Sequence, residues 1–417
     1  MSPAMLNALI AFVPALSVAA AVGLYWKFRS RGAMRAVAIL PPLACVVLSV
    51  VVGQSIGTIL NPVASEPHGP VGDEALALHR ESIVADLHAD PLLFGRDLLE
   101  RSEAGHVDIP RLLDGGVALQ VFSLVTRAPL GYNEEATDPD RPDLITLFAL
   151  THFWPPSTYF SQRERVLYHA GRFEDMAARS DGRLRLVRDR GDLETLLAAR
   201  RAGEQVVGGL LAIEGSHVLS SDFRDELDAF FARGLRMASL THFFDNEFAG
   251  SVQGLEKGGL TMRGRELVAA FESRGIVIDL AHASHATIDD VLAIARRPVV
   301  FSHTGVAGTC DQYHNLRDEH VRAIAANGGV IGIGLWDTAV CGSTARHTIR
   351  AMRHVIDLVG DSHVGLGSDF DGYVRAHFDA SGMPLLTQAM LDEGFEPDTI
   401  RRILGGNVLR VLRSGLP

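Results

Sequence analysis

The hydrophobic pattern of the chain begins with two long apolar stretches separated by a short basic run. Residues 1–26 carry no charged side chain, the segment 27–35 is basic, and residues 36–65 are again free of charge. A helix needs about 20 apolar residues to cross a bilayer, and each stretch is long enough. We therefore predict a two-helix transmembrane hairpin over residues 1–60, with a cleavable signal sequence as the alternative. The positive-inside rule then places the basic loop in the cytoplasm. Everything after a Pro- and Gly-containing linker at 61–72 would lie on the non-cytoplasmic side, periplasmic or extracellular.

Beyond residue 72, short apolar runs alternate with longer amphipathic ones. Eight apolar runs predict β-strands, at residues 82–88, 116–124, 206–215, 235–242, 275–282, 297–303, 328–336 and 363–370. Segments between them, such as FRDELDAFFARG and HATIDDVLAIARR, have the apolar spacing of a helix. Nearly all-apolar strands that alternate with helices are typical of a parallel sheet covered on both faces. Residues 73–417 are therefore predicted to form a (β/α)8 TIM barrel of the α/β class.

The connection between the second and third predicted strands is unusually long. It runs from about residue 126 to 205 and includes a predicted helix around 143–175 and a basic run, RLRLVRDR. Long excursions in a compact domain are often functional lids. A packed decoration without a catalytic role is the other interpretation, and the sequence leaves both open.

Polar side chains suited to metal binding or acid–base chemistry end six of the predicted strands. They are His88, Asp90, Glu214, His242, His282, His303 and Asp369. The C-terminal strand ends of a TIM barrel form one face, where the active site lies, so we expect these side chains to share one cavity. Imidazole and carboxylate without thiolate suit Zn²⁺ or a similar divalent ion. Five of the seven, all but His242 and Asp369, would be enough ligands for two ions if a carboxylate bridged them.

Charge and composition narrow the choice of partner. The formal net charge is −11, which excludes nucleic acid as the expected partner because backbone binding needs a basic surface. The chain is 47% hydrophobic and 21% charged, as in an ordinary globular enzyme. The predicted partners are a small substrate and, through the N-terminal stretches, a membrane.

The segments around these residues resemble the membrane dipeptidase (renal dipeptidase) family of zinc metallopeptidases. The matching segments are DLHAD, AIEGSH, LTHFFDN, DLAH, FSH and GSDFDG, within a resemblance that extends from about residue 80 to 415. The resemblance implies hydrolysis of dipeptides, among them those with a D-residue at the C-terminal position, by two Zn²⁺ ions bridged by Glu214 and a hydroxide. The implied ligands are His88, Asp90 and Glu214 for one ion, and Glu214, His282 and His303 for the other. The implied catalytic residues are His242, which would hydrogen-bond the oxyanion, and Asp369, which would move the proton or hold the substrate ammonium.

Two other functions fit part of the pattern. One is a different metal-dependent amidohydrolase, acting on a cyclic amide or lactone on the same barrel. Such enzymes typically open with His-x-His and bridge through a modified lysine, whereas this chain has His-x-Asp and a glutamate. The other is a catalytically inactive membrane-tethered binding protein, which a missing ligand would indicate. A homodimer is a further possibility for either enzyme.

The sequence departs from the family at one position. The family usually shows an arginine just before an asparagine, and that arginine holds the substrate carboxylate. Here the segment reads YHNLRDE, with His314 at the arginine position and Arg317 three residues later. Either residue could bind the carboxylate, or Arg317 could be a solvated charge at a helix start, paired with Asp318 or Glu319.

Two cysteines are expected to form a disulfide. Cys310 follows the sixth predicted strand and Cys341 the seventh, so both should lie near the active face, and the family places a bridge in a similar region. On the predicted topology this face is outside the cytoplasm, where a disulfide can persist.

Overall fold

The computed structural model describes residues 57–64, 66 and 69–417, together with the isolated positions 23, 26 and 47. The predicted transmembrane hairpin therefore lies almost entirely outside the described residues. Within the described part of the chain, no helix combines the length and the apolar character that a membrane crossing requires.

The centre of the described structure is a closed parallel barrel, as predicted. The strands are β1 (Val84–Ala89), β2 (Val117–Val125), β3 (Leu184–Leu186), β4 (Val207–Glu214), β5 (Leu235–Ser239), β6 (Val277–Asp279), β7 (Val300–Thr304), β8 (Val330–Ile333) and β9 (Val364–Leu366). Eight of them form the ring β2-β1-β9-β8-β7-β6-β5-β4, which the pairing of β4 with β2 closes. Every residue of these eight strands is buried, which explains why the sequence shows them as continuous apolar runs.

The strand β3 was not predicted, because its residues belong to the basic run in the long connection. Leu184, Arg185 and Leu186 pair in parallel with the first residues of β4, outside the ring. The later residues of β4 pair with β5. A three-residue strand with one polar member gives too short a pattern to separate from a loop.

Helices cover the outside of the barrel and join its strands. They are α1 (Asp73–Glu81), α2 (Ile109–Asp114), α3 (Leu144–Thr151), α4 (Gln162–Arg179), α5 (Arg190–Arg201), α6 (Arg224–Ala232), α7 (Met262–Arg274), α8 (His285–Ile294), α9 (Asp318–Ala326), α10 (Asp337–Val340), α11 (Ala345–Val359), α12 (Met383–Asp392), α13 (Pro397–Arg401) and α14 (Asn407–Gly415). Several begin at a side chain that accepts from a free backbone N–H, as Thr261 does from Gly264 and Ser284 from Thr287. Close packing against β4 depends on Gly209, where a Cβ atom would lie 2.1 Å from the Phe173 ring.

The long connection is a packed subdomain with more elements than predicted. The single helix expected around 143–175 is two helices, α3 and α4, because Pro155 and Pro156 lie between them and cannot continue a helix. Buried apolar side chains of α3 join Phe94 and Trp154 in a cluster at the C-terminal side of the barrel. The connection thus forms a wall beside the strand ends.

The residues just before α1 are partly fixed to this same side. Ala64 N–H donates to the Ala376 carbonyl (2.8 Å), and Ala376 N–H donates back to the Pro62 carbonyl (3.1 Å). Asn61 Oδ1 accepts from Tyr373 N–H (2.8 Å). The beginning of the predicted linker is therefore held against the barrel.

Cys310 and Cys341 are joined in a disulfide, with their Cα atoms 5.4 Å apart. Cys310 lies in the loop after β7, and Cys341 ends α10, which follows β8. Asn315 also ties these two segments, since its side-chain amide donates to the carbonyls of Cys310 (2.7 Å) and Ala339 (2.8 Å).

Candidate active site

A cavity of about 500 Å³ opens at the C-terminal ends of the strands. Its lining includes Asp90, Tyr132, Glu214, His242, Phe243, Gln253, His282, His303, His314, Trp336, Asp369 and Tyr373. Of the seven strand-end residues predicted from the sequence, six line this cavity, and His88 lies directly behind it, 3.4 Å from Asp90. The structure thus brings the predicted set together.

The end of β1 supplies the first pair. His88 and Asp90 are two residues apart in extended backbone, so both side chains point to the barrel interior. Pro91 then begins a 3₁₀ turn, and Asp90 N–H is held by the Phe370 carbonyl (2.9 Å). His88 Nε2 lies 3.4 Å from Asp90 Oδ2 and 3.5 Å from Glu214 Oε1.

Glu214 is the centre of the cluster. Its Oε1 atom lies 3.0 Å from His282 Nε2, 3.5 Å from His88 Nε2 and 3.8 Å from His303 Nε2. The other oxygen, Oε2, lies 3.6 Å from His242 Nε2. One carboxylate therefore reaches imidazoles from both sides of the cavity.

Two positions in the cluster have an unusual backbone. His282 (φ 63°) and Asp369 (φ 56°) both adopt the left-handed conformation that L-residues rarely take. Such strain persists only where the surrounding structure enforces it, and it concentrates at functional sites. The loop with Asp369 is enforced by buried Asp371, which accepts from Arg96 (2.5 Å) and from His106 N–H (2.7 Å).

The unpaired atoms of the cluster fit a bound cation. In the described structure, His88 Nε2 and Asp90 Oδ1 are buried without a hydrogen-bond partner. Three sets of ligand atoms each lie within 4.8 Å of one another: His88, Asp90 and Glu214; Glu214, His282 and His303; and His88, His303 and Asp369. Imidazole and carboxylate donors without a thiolate suit zinc or another divalent ion.

The charges within the cluster also fit a bound cation. Burial alone would raise the pKa of Glu214, but His242, His88 and His282 together lower it, so this carboxylate is ionised. Burial holds the pKa of His303 and of His242 well below the usual value, so both imidazoles are neutral. Burial would lower the pKa of His88 too, yet the charges of Glu214 and Asp90 raise it well above the usual value. Glu214 and His303 are therefore in forms that can bind a metal, and the raised pKa of His88 reflects a negative potential that attracts positive charge.

Hydrogen bonds behind the cluster orient two of the imidazoles. His282 Nδ1 donates to Gln253 Oε1 (3.0 Å), which turns Nε2 toward Glu214. His303 Nδ1 is hydrogen-bonded to the Ser302 hydroxyl (2.9 Å). Asp86 and Asp279 lie two and three residues before His88 and His282, but their hydrogen bonds go elsewhere. Asp86 accepts from Ser368 and Gln120, and Asp279 accepts from backbone N–H groups of residues 281 and 302.

We expect the Gln253→Ala variant to bind metal about 10- to 100-fold more weakly, the range typical when an outer partner of a ligand is lost. The physical reason is that His282 would no longer be held in the tautomer that directs Nε2 inward. Metal retention during titration with a chelator would measure the effect. The Gln312→Ala variant, in the loop before His314, is the control and should retain metal like the parent. Equal retention by both would remove Gln253 from this role.

His242 and Asp369 occupy different sides of the cluster. The His242 ring stacks on Phe243 (ring centroids 3.6 Å apart), and its buried Nδ1 has no partner among the described residues. Asp369 Oδ1 lies 3.8 Å from His88 Nε2. Burial raises the pKa of Asp369 well above the usual value, and the nearby Asp90 and Glu214 add to the effect.

The structure separates the two candidates for carboxylate binding. Arg317 is 57% exposed, caps the start of α9 and pairs with Glu319 at 3.8 Å, outside the cavity. This position matches the alternative in which Arg317 is a solvated charge at a helix start. His314 lines the cavity and is stacked on Trp336 (ring centroids 6.5 Å apart).

Other residues of the site were not predicted. Tyr132 belongs to the long connection and stacks on Phe243, and burial raises its pKa to about 12. His217 bonds the Thr126 hydroxyl (3.0 Å), and burial lowers its pKa to about 3. The position of His217 just beyond the strand-end glutamate, in AIEGSH, is a signal that could have identified it. For Tyr132, Gln253 and Trp336 the sequence carries no comparable signal.

A closed parallel barrel with imidazoles and carboxylates gathered around one glutamate at its C-terminal face defines a metal-dependent hydrolase. A profile described as membrane dipeptidase (peptidase family M19) matches residues 72–415. The chain therefore belongs to the membrane dipeptidase family, and it is a metallo-dipeptidase. The family resemblance predicted from the sequence is confirmed.

Similar proteins agree with this assignment. Dipeptidase aclJ of Aspergillus oryzae is 36% identical over 338 residues, which cover 74% of this chain and 69% of that protein. Dipeptidase tcpJ of Claviceps purpurea is 29% identical over 320 residues, which cover 75% of this chain and 69% of that protein. A metallo peptidase from Rhodobacter sphaeroides, solved with a phosphinate mimic of the dipeptide L-Ala-D-Ala, has a TM-score of 0.67 at 25% identity, covering 80% of this chain and 99% of that one. The probable dipeptidase PvdM from Pseudomonas aeruginosa has a TM-score of 0.69 at 19% identity, covering 82% of this chain and 97% of that one. This likeness supports the fold alone.

Proposed function

We propose that the protein is a dinuclear zinc dipeptidase. One zinc would be held by His88, Asp90 and Glu214, and the other by Glu214, His282 and His303. The observation that carries this proposal is the position of Glu214 Oε1, within 3.8 Å of three imidazoles that arrive from three different strands. Zinc bound there would supply a water of lowered pKa and a polarised scissile carbonyl.

The chain's own residues would carry the proton and charge changes. His242 is neutral and its Nδ1 is unpaired, so the ring can donate a hydrogen bond to the oxyanion that develops on the carbonyl. Asp369, on the opposite side of the cluster, would take a proton and return it to the leaving amine. Alternatively, Asp369 would hold the substrate ammonium.

The substrate we propose is a dipeptide, including those with a D-residue at the C-terminal position. A cavity of about 500 Å³ suits a ligand of this size. The Rhodobacter sphaeroides metallo peptidase was solved with a mimic of L-Ala-D-Ala, which supports this substrate class.

His314 is the residue that we propose for the substrate carboxylate. The described lining of the cavity contains no lysine or arginine, and His314 faces it beside Trp336. Burial lowers the pKa of His314 to about 4, so the ring is neutral and would donate one N–H to the carboxylate.

We expect His314→Ala to raise KM for dipeptides by about 10- to 150-fold, the effect of losing a hydrogen bond to a charged group. Arg317→Ala is the matched control and should leave KM unchanged. A group whose pKa is lowered to about 4 is already neutral at pH 6, so its contribution to KM should be flat between about pH 6 and 8. A KM increase in the arginine variant alone would reverse the assignment.

We also propose that the catalytic domain is anchored to a membrane and lies on its non-cytoplasmic side. Two charge-free stretches with a basic run between them support this topology. The disulfide of Cys310 with Cys341 suits an oxidising compartment.

Metal analysis combined with a dipeptide library tests the proposed chemistry. Purified protein should contain two zinc ions per chain and hydrolyse L,L- and L,D-dipeptides, while a lactone or cyclic amide should be left intact. Full activity after complete removal of metal would refute the proposal. Full activity with one zinc ion per chain would refute the proposal of two ions.

A further inference from the structure

The long connection presents three large apolar side chains to solvent. Leu150 is 46% exposed, Phe153 69% and Phe160 90%. We call these three residues the apolar rim. Single exposed apolar residues are ordinary on protein surfaces, but three within eleven residues of one small subdomain indicate a contact surface.

The rim is a fixed feature of the subdomain. The Thr146 hydroxyl, one helical turn before Leu150, donates to the Tyr159 carbonyl (3.0 Å), so Phe160 is held beside α3. Buried Arg165 donates to the same carbonyl (2.7 Å) and to Asp143 Oδ2 (2.5 Å). The backbone next to Phe160 is therefore held in place by hydrogen bonds to buried Arg165 and to α3.

The conformation of Phe153 is costly for folding alone. Helix α3 ends in a Schellman motif, in which Trp154 N–H donates to the Ala149 carbonyl (2.8 Å) and Phe153 N–H to the Leu150 carbonyl (3.4 Å). Phe153 occupies the left-handed position of this motif (φ 54°), where glycine is favoured. The Phe153 ring gains little from packing within the described structure, since it is 69% exposed at a position that favours glycine, and this fits a contact with a partner.

The described residues 57–60 lie on this same side of the barrel. Gly57 lies against the Phe94 ring, which contacts Phe148 of α3 edge-on (ring centroids 6.0 Å apart). Leu60 packs on the same cluster, while Ile59 is 55% exposed. Gly57, which follows the charge-free sequence 36–56, is thus next to the cluster that includes Phe148 of the helix carrying Leu150.

We propose that the apolar rim is seated in the interfacial layer of a lipid bilayer. The proposal rests on the membrane anchoring put forward above, which would bring a bilayer to this side of the barrel. Phenylalanine and leucine on a rigid surface element are the side chains that enter this layer. Tyr373 lines the catalytic cavity and contacts both Phe94 and Phe148, so a bilayer at the rim would lie beside the cavity.

A second copy of the chain fits the rim less well. A large aromatic side chain buries about 200 Å², so the exposed parts of the rim amount to roughly 400 Å². A stable protein interface needs about 800 Å² from each partner. A bilayer has no such minimum area, because the N-terminal stretches would supply the main anchoring.

Site-specific fluorescence in vesicles tests the proposal. The full chain, with Cys45→Ser, receives one new cysteine by Phe160→Cys or Phe153→Cys and is labelled there with an environment-sensitive fluorophore. The chain is reconstituted into phosphatidylcholine vesicles containing one fifth phosphatidylglycerol, with or without brominated acyl chains. The control is Ser273→Cys, an exposed position in the last turn of α7, at the end of the barrel opposite the cavity.

The expected result is a blue-shifted emission at 153 and 160, quenched at least about twofold by brominated lipid, with no change at 273. If the chain floats with the vesicles but the rim labels behave like the control, anchoring stands and the seated rim is refuted. If the chain does not float, both proposals fail. Concentration-dependent shielding of the rim labels without lipid quenching would assign the rim to a second copy and overturn the proposal.

Discussion

Replacing Glu214 by glutamine is expected to abolish metal binding and activity together. Glu214 Oε1 lies within 3.8 Å of the Nε2 atoms of His88, His282 and His303, and the carboxylate carries charge that would balance a cation among them. The neutral amide has the same size but offers less charge and can present an NH₂ group to the imidazoles. We expect kcat/KM to fall at least about 10³-fold, more than the 10- to 100-fold typical of losing an outer partner. Zinc content and dipeptide hydrolysis, measured on the same sample, would show it.

The matched control for this variant is Glu134→Gln. Glu134 also lines the cavity, but it is exposed and is not part of the ligand sets. This variant should retain both metal and activity. Metal retention in Glu214→Gln with unchanged kcat would mean that the glutamate is not a ligand.

The variant His242→Ala is expected to lose turnover while it keeps its metal. The ring is neutral and stacked on Phe243, and Nδ1 has no partner in the described structure, so it is available to the substrate. Removal of one donor to a developing oxyanion costs about 10²- to 10³-fold in kcat. Steady-state kinetics and metal analysis should therefore give a lower kcat at unchanged zinc content.

The zinc content of His242→Ala also distinguishes a role at the oxyanion from a role as metal ligand. His242 Nε2 is only 3.6 Å from Glu214 Oε2, so a ligand role would show as loss of zinc in the same variant. His354→Ala, on helix α11 and paired with Asp318, is the control for removing a histidine elsewhere and should leave kcat unchanged.

Much of the barrel and of the site could be predicted from local sequence. Strands buried on both faces are continuous apolar runs, and His88, Glu214, His282 and His303 each stand where such a run ends. In a parallel barrel these residues become neighbours, because the C-terminal ends of all strands meet on one face.

The site residues that the sequence did not predict are placed by loops. Gln253 contacts His282 across 29 residues of sequence, and Tyr132 reaches Phe243 from the long connection. Contacts of this kind depend on loop conformation, which no periodic pattern encodes. The exposed position of Arg317 has a related cause: the turn at residues 310–316 is fixed by Asn315 and the disulfide, which leaves His314 at the cavity and Arg317 in solvent.

The disulfide also makes oxidation a step in the maturation of the enzyme. Cys310 and Cys341 join the loop that carries His314 to the helix that begins after Trp336, and both of these rings line the cavity. The proposed metal ligands come from strand ends and do not depend on this bond. A chain that stays in a reducing compartment would therefore have an intact ligand set but a substrate wall without its covalent tie. Substrate selectivity would then depend on whether the disulfide has formed, whereas the metal content would not.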